Sequence, residues 1–155
     1  MDQTYYFDAD VIIAYFDEDD RGKNRVSKNT VGRAKNNVRM NPCIKVKIPS
    51  IAMAEIFLWL IEKSRLEDLP YKFLKVMTEL KADFPSPNKE HYSEAIYLLK
   101  KDKYLKPHDS LIVAHTLKDS NTIHLLTFDS DLIDNDVIER RKTELRNKFK
   151  IGLEL

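Results

Sequence analysis

Two short apolar runs in this chain end in the same way, and no other feature constrains the fold as much. Thr4–Phe7 runs straight into Asp8-Ala9-Asp10, and Ile123–Thr127 is followed at once by Phe128-Asp129-Ser130-Asp131. A strand buried on both faces of a parallel sheet is a continuous apolar run, and ligands of open α/β sheets gather beyond the carboxyl ends of such strands. Both acid pairs are therefore expected at the mouth of a crevice. A plainer reading stands beside this one. Asp is a favoured N-cap, and Val11–Phe16 reads as the start of a helix. The choice depends on whether other acids occupy equally awkward positions.

Glu55 is one. Ile44–Ile48 alternates with a period of two and predicts a strand, after which Ser50 is a natural N-cap for a helix over Ile51–Ile61. That helix is apolar nearly all round, so it is expected to be buried, with Phe57 and Trp59 in the core and Glu55 as its only charge. An ionised carboxylate in such surroundings needs a partner, a proton or a metal. Asp109, at the start of a helix over Leu111–Leu117, is a weaker signal, because a carboxylate is also welcome at a helix N-terminus. Helices over Pro70–Lys81 and Asn88–Lys103 are expected to turn Phe73, Leu74, Met77 and Leu80, and Tyr92, Ala95, Ile96 and Leu99, to the core. Ala82–Phe84 reads as a short edge strand, Asp134–Lys148 as a polar, partly helical surface segment, and Phe149–Leu155 as a last edge strand. Strands alternating with helices imply an α/β fold with a parallel sheet and right-handed crossovers. In that arrangement the first and fourth strands adjoin, which brings Asp8 and Asp129 to one edge. Glu55 and Asp109 can point to the same edge.

Charge is distributed unevenly. The net charge is only +1, yet Arg21–Lys47 holds nine Lys or Arg and no acid, directly after Asp17-Glu18-Asp19-Asp20. In a helix over Asn24–Met40, Val26, Val31, Ala34 and Val38 form a thin apolar stripe, and Arg25, Lys28, Lys35 and Arg39 cluster on the other side. With no acids nearby in sequence to pair with, these four are candidates to hold a phosphate backbone. The 155 residues suit one domain with a sizeable core, and the single Cys43 excludes an internal disulfide or a Cys-rich zinc site. No signal peptide is expected from the opening residues, and no apolar run is long enough to span a bilayer, so a cytoplasmic protein without membrane contact is expected. The four histidines show no metal-ligand spacing. His108 is read as a surface residue.

Four converging carboxylates need a counter-charge, and an all-oxygen ligand set is the preference of Mg²⁺ or Mn²⁺. Together with a basic surface, these parts suit metal-dependent hydrolysis of phosphodiesters.

The sequence also resembles the PIN-domain ribonucleases, of the VapC kind found as toxins in toxin–antitoxin pairs. The resemblance rests on Phe7-Asp8-Ala9-Asp10-Val11-Ile12-Ile13, Ile48–Glu55, Asp109–Ala114 and Leu126–Leu132, four short motifs in the family's order. It implies a single PIN-like domain over 1–155 with a central five-stranded parallel sheet flanked by helices. It further implies a quartet of Asp8, Glu55, Asp109 and Asp129 binding Mg²⁺ or Mn²⁺, with Thr127 in support and RNA as substrate. An antitoxin partner and a homodimer formed through apolar helices around Leu58 or Leu98 belong to the same implication. Asp10 stands where the family usually has Ser, Thr or Asn. Leu132 replaces a frequent aromatic, which leaves open whether Asp129 or Asp131 is the closer ligand. Two alternatives remain. One is a haloacid-dehalogenase-like phosphatase with Asp8 as nucleophile and Asp10 as acid, which leaves Glu55 unexplained. The other is a PIN-like domain that binds RNA or protein without cutting.

Overall fold

The computed structural model describes residues 1–63 and 68–155. In chain order its elements are β1 (Gln3–Phe7), α1 (Ala9–Phe16), α2 (Arg21–Met40), β2 (Ile44–Lys47), α3 (Ser50–Glu62), α4 (Leu69–Leu80), β3 (Ala82–Asp83), α5 (Lys89–Lys101), α6 (Pro107–Lys118), β4 (Thr122–Leu126), α7 (Asp136–Glu144) and β5 (Lys150–Gly152). The strands form one all-parallel sheet in the order β3-β2-β1-β4-β5. β1 is central, with Tyr6 opposite Lys47 of β2 and Phe7 opposite Leu126 of β4. The adjacency of first and fourth strands expected from the sequence is present. An Asp8 N–H···O=C bond to Leu126 (2.9 Å) carries the ladder one residue beyond β1, so Asp8 starts where the sheet stops.

The core is built on these strands. Phe7, Ile12, Ile48, Ile56, Leu80, Leu98, Ile112, Leu125 and Leu126 are fully buried, each side chain worth about 1.5–3 kcal/mol of transfer free energy. Polar contacts anchor α2, whose apolar stripe is thin and from which Val26 is turned out to solvent. Ser27 donates to Val11 O, Thr30 to Leu153 O (3.0 Å), Asn24 to the Ala14 and Tyr15 carbonyls (both 2.9 Å), and Asn37 to the Tyr5 hydroxyl (3.0 Å). The helix is thus better held than its hydrophobic pattern implies. Its N-cap is Asp20, the last residue of the acidic tetrad, which accepts from Lys23 N.

Several expectations are corrected. α3 buries only Ala52, Ile56 and Leu60, and Phe57, Leu58 and Ile61 are exposed. Apolar composition all round a helix does not bury it when only one side meets the protein. Pro49, not Ser50, is the N-cap of α3, with no side-chain cap bond. In α4, Val76 takes the core place expected for Leu74, and in α5 Glu94 and Leu98 are buried where Tyr92 and Ile96 are exposed. The buried Glu94 is satisfied by Arg141 (2.6 and 3.0 Å) and faced by Lys118 (3.5 Å), which ties α5 to α6 and α7. The polar segment at α7 accordingly buries Ile138 and Lys142 rather than lying wholly on the surface.

Candidate functional site

Asp8 does cap α1, as the plain reading expects: its Oδ1 accepts from Ala9 N at 2.7 Å. Its other oxygen, Oδ2, accepts from the Thr127 hydroxyl at 2.8 Å, just beyond β4. One carboxylate therefore both starts a helix and locks two neighbouring strand ends together. Asp10, in the first turn of α1, reaches across the same gap. Its Oδ2 accepts from Phe128 N (3.0 Å) and lies 3.3 Å from Thr127 Oγ, whereas its Oδ1 is buried without a partner. Asp129 N donates to Thr127 Oγ (3.0 Å), and Asp129 Oδ1 accepts from Asp131 N (2.8 Å), which turns the loop and leaves Asp131 exposed.

Asp109 and Glu55 approach from α6 and α3. Asp109 is 5 % exposed, whereas Glu55 is half-exposed, so solvent and a neighbour share its charge. That neighbour is His108, whose Nε2 lies 3.2 Å from both Glu55 Oε1 and Asp109 Oδ1. His108 lies at the surface as expected, with its side chain 40 % exposed, but it is engaged by both acids. The available signal was its position beside Asp109 in the first turn of a helix.

Proton affinities tie these acids into one electrostatic unit. Burial, with a contribution from the Asp129 charge, raises Asp8 above the usual carboxylate range, against the pull of Thr127 and Ala9. Burial and the Asp8 charge push Asp10 up to about 7. Asp109 rises to about 6 through burial and the Asp8 and Asp129 charges, opposed by His108 and Lys106. Glu55 is raised by burial and by Asp8. The charge of Asp129 contributes to the rise at Asp8, Asp10 and Asp109, whereas Asp131 is exposed.

A cation suits this arrangement in charge and donor type. The donors are oxygens, the acids repel one another, and a buried Asp10 oxygen has no partner. Among the described residues, however, no three His, Cys, Asp or Glu side chains converge closely enough to cage an ion in the positions they occupy. Asp8 spends both oxygens on hydrogen bonds, and His108 stands between Glu55 and Asp109.

Among the described residues, none of the four basic residues of α2 makes a hydrogen bond or ion pair with these acids, and their surroundings differ. Arg25, Lys28 and Arg39 are exposed, but Lys35 is half-buried, 2.6 Å from Glu79 Oε2 and over the Tyr15 ring at 5.3 Å. An acid distant in sequence therefore supplies the counter-charge that no neighbouring acid offers Lys35. Lys23, earlier on the helix, is nearer the site, with its Nζ 5.8 Å from the Phe128 ring centre.

No curated protein matches the sequence. In structure, the chain is similar to one in the crystal structure of VapBC2 from Rickettsia felis bound to a DNA fragment from their promoter, with a TM-score of 0.61 and 14% identity over 98% of this chain and 100% of that one. The family model of the PIN domain matches residues 5–138, a span that takes in the end of β1, the first turns of α1, α3 and α6, and the loop after β4. The strand order, the acidic edge and this match agree: the chain belongs to the PIN-domain family.

Proposed function

We propose that the protein is a metal-dependent endoribonuclease acting at the Asp8, Glu55, Asp109 and Asp129 edge, and that it is the toxin of a toxin–antitoxin pair. The observation that carries this reading is the convergence of acids from the end of β1, from α3, from α6 and from the loop after β4, where burial first and then one another's charges raise Asp8, Glu55 and Asp109. A bound Mg²⁺ or Mn²⁺ would polarise the phosphoryl oxygens and offset the charge that develops during in-line attack. Asp8, Glu55, Asp109 and Asp129 are the residues that would hold it, with Asp131 behind Asp129. Thr127 fixes the Asp8 carboxylate, and its own oxygen is fixed by Asp129 N, so the ligand edge is set before substrate arrives. Asp10 adds negative charge and braces the loop through Phe128 N. His108 holds Glu55 and Asp109 and would yield both to a cation. Arg25, Lys28 and Arg39 offer charge to the phosphate backbone, and Lys35 less, since Glu79 already neutralises it.

The fold shared with a VapBC2 chain supports an antitoxin as partner. For self-association, the α3 face at Phe57, Leu58 and Ile61 is open, whereas Leu98 is fully buried and cannot serve. No described helix is long and apolar enough to cross a membrane. The phosphatase alternative leaves Glu55 without a role and is set aside by membership of the PIN family. The test is cleavage of labelled RNA by the purified protein with and without Mg²⁺ or Mn²⁺. Metal-dependent cleavage lost in Asp129→Asn is expected. Undiminished cleavage in excess EDTA refutes the mechanism, and RNA binding with no cleavage under any divalent ion favours the non-cutting alternative.

A further inference from the structure

An open trough of about 560 Å³ runs between the end of α5, the loop to α6 and the first turns of α7. Its walls carry Lys100, Lys101, Lys103, Tyr104, Val137 and Arg140. None of these four cations has an ion-pair partner among the described residues, unlike Lys35 on α2 or Arg141 one residue further along α7. Tyr104 is 78 % exposed, with Lys103 Nζ 4.9 Å from one side of its ring.

An exposed tyrosine on a slack loop would be unremarkable, but this loop is pinned. Asp102 Oδ1 accepts from Tyr104 N (2.9 Å), Leu105 N donates to Asp102 O (3.3 Å), and the Leu105 side chain is buried. Asp102 Oδ2 accepts from Asn135 Nδ2, which also donates to Asp131 O (both 2.9 Å). The backbone that carries the ring is therefore held at a fixed place, and this loop is tied to the one bearing Asp129. At its other end the loop runs through Lys106, whose charge is felt by Glu55 and Asp109, into the turn carrying His108 and Asp109.

We infer that this trough binds single-stranded RNA, with Tyr104 as a stacking platform for one base and Lys103 and Arg140 on the flanking phosphates. The inference rests on the nuclease reading for the choice of RNA but not for binding itself. Aromatic rings among unpaired cations are how sequence-tolerant single-strand sites are built, because every base has a stacking face. A duplex keeps its bases stacked inside and gains nothing from the ring. The trough also contains Asp102 and Asp136, but the Asp102 carboxylate is turned onto Asn135 and the Tyr104 amide.

The test is fluorescence anisotropy with a labelled single-stranded RNA of mixed sequence and with its duplex, in EDTA so that no cleavage occurs. Tyr104→Ala is expected to weaken single-strand binding about 10-fold, with Tyr104→Phe and duplex binding unchanged. Lys103→Gln with Arg140→Gln is expected to flatten the logarithmic salt dependence by about 1.4. Thermal melts check folding, which an exposed side chain should not alter. Wild-type affinity in Tyr104→Ala overturns the inference, as does a wild-type protein that binds no RNA. Competition by polyglutamate with the same dependence on Tyr104 also overturns it, in favour of an acidic protein partner. A protein that binds as expected but never cleaves sinks the nuclease reading and leaves the trough standing. One that cleaves but ignores Tyr104→Ala does the reverse.

Discussion

Replacing Asp10 by Asn should stabilise the metal-free protein, and more so as the pH rises. Asp10 has its proton affinity raised from 3.8 to about 7, by burial first and then by the charge of Asp8. A group whose folded pKa lies above its unfolded value contributes stability that is complete below the unfolded pKa and is lost as pH rises through the folded one. Above pH 7, the ionised carboxylate therefore costs at most about 4 kcal/mol. Asparagine keeps the oxygen that accepts from Phe128 N, but puts an amide where the unpartnered Oδ1 stands, at a cost of about 1–3 kcal/mol. The net expectation is a gain of about 1–3 kcal/mol at pH 8, or roughly 2–12 °C in Tm. Near pH 4, where the wild-type group is already neutral, the gain should vanish. Thermal melts in EDTA at both pH values measure it. A variant no more stable than wild type at pH 8, or equally stabilised at both pH values, refutes the electrostatic argument. Mg²⁺ at pH 8 should also raise the wild-type Tm more than that of the variant, since a cation relieves the repulsion that the substitution removes.

Three further expectations rest on other parts of the structure. Asp8→Asn should abolish metal-dependent RNA cleavage while keeping the fold, and a metal-free melt well below wild type would show that its capping of α1 and its bond to Thr127 matter more than repulsion. Glu94→Ala removes the buried carboxylate that Arg141 and Lys118 share but leaves Arg141 its pair with Glu144, and should cost about 1–3 kcal/mol in urea unfolding, whereas loss of an exposed pair costs under about 1 kcal/mol. His115 and His124 are buried, with burial holding both down at about 4. Because the unfolded chain takes up protons that the folded one refuses, stability present above about pH 6.5 should drain away as pH falls toward 4. His115→Phe, which keeps the stack on His91 (4.0 Å) and removes the unpartnered Nε2, should flatten that acid loss in a melt-versus-pH series.

The order of strands and helices, the adjacency of the first and fourth strands and the junction of strand ends with acids were legible along the chain. They follow from local rules: continuous apolar runs make buried parallel strands, and short polar breaks end them. The strand-then-acid pattern placed Asp8 and Asp129 at one edge because parallel topology leaves them nowhere else. Which side of an apolar helix meets the protein is not a local property. Phe57, Leu58 and Ile61 of α3 face solvent, and Glu94 of α5 is buried, because neighbouring elements decide what is covered. Pairing across long sequence distances was equally invisible: Lys35 with Glu79, Glu94 with Arg141, Asp10 with the Phe128 amide, and His108 between Glu55 and Asp109. By itself the sequence determined the fold class and where acids follow the strand ends, because hydrophobic period and residue type are written along the chain. The tertiary structure alone decided which charges meet, because Coulombic and hydrogen-bond partners depend on distances of a few ångströms between segments far apart in sequence.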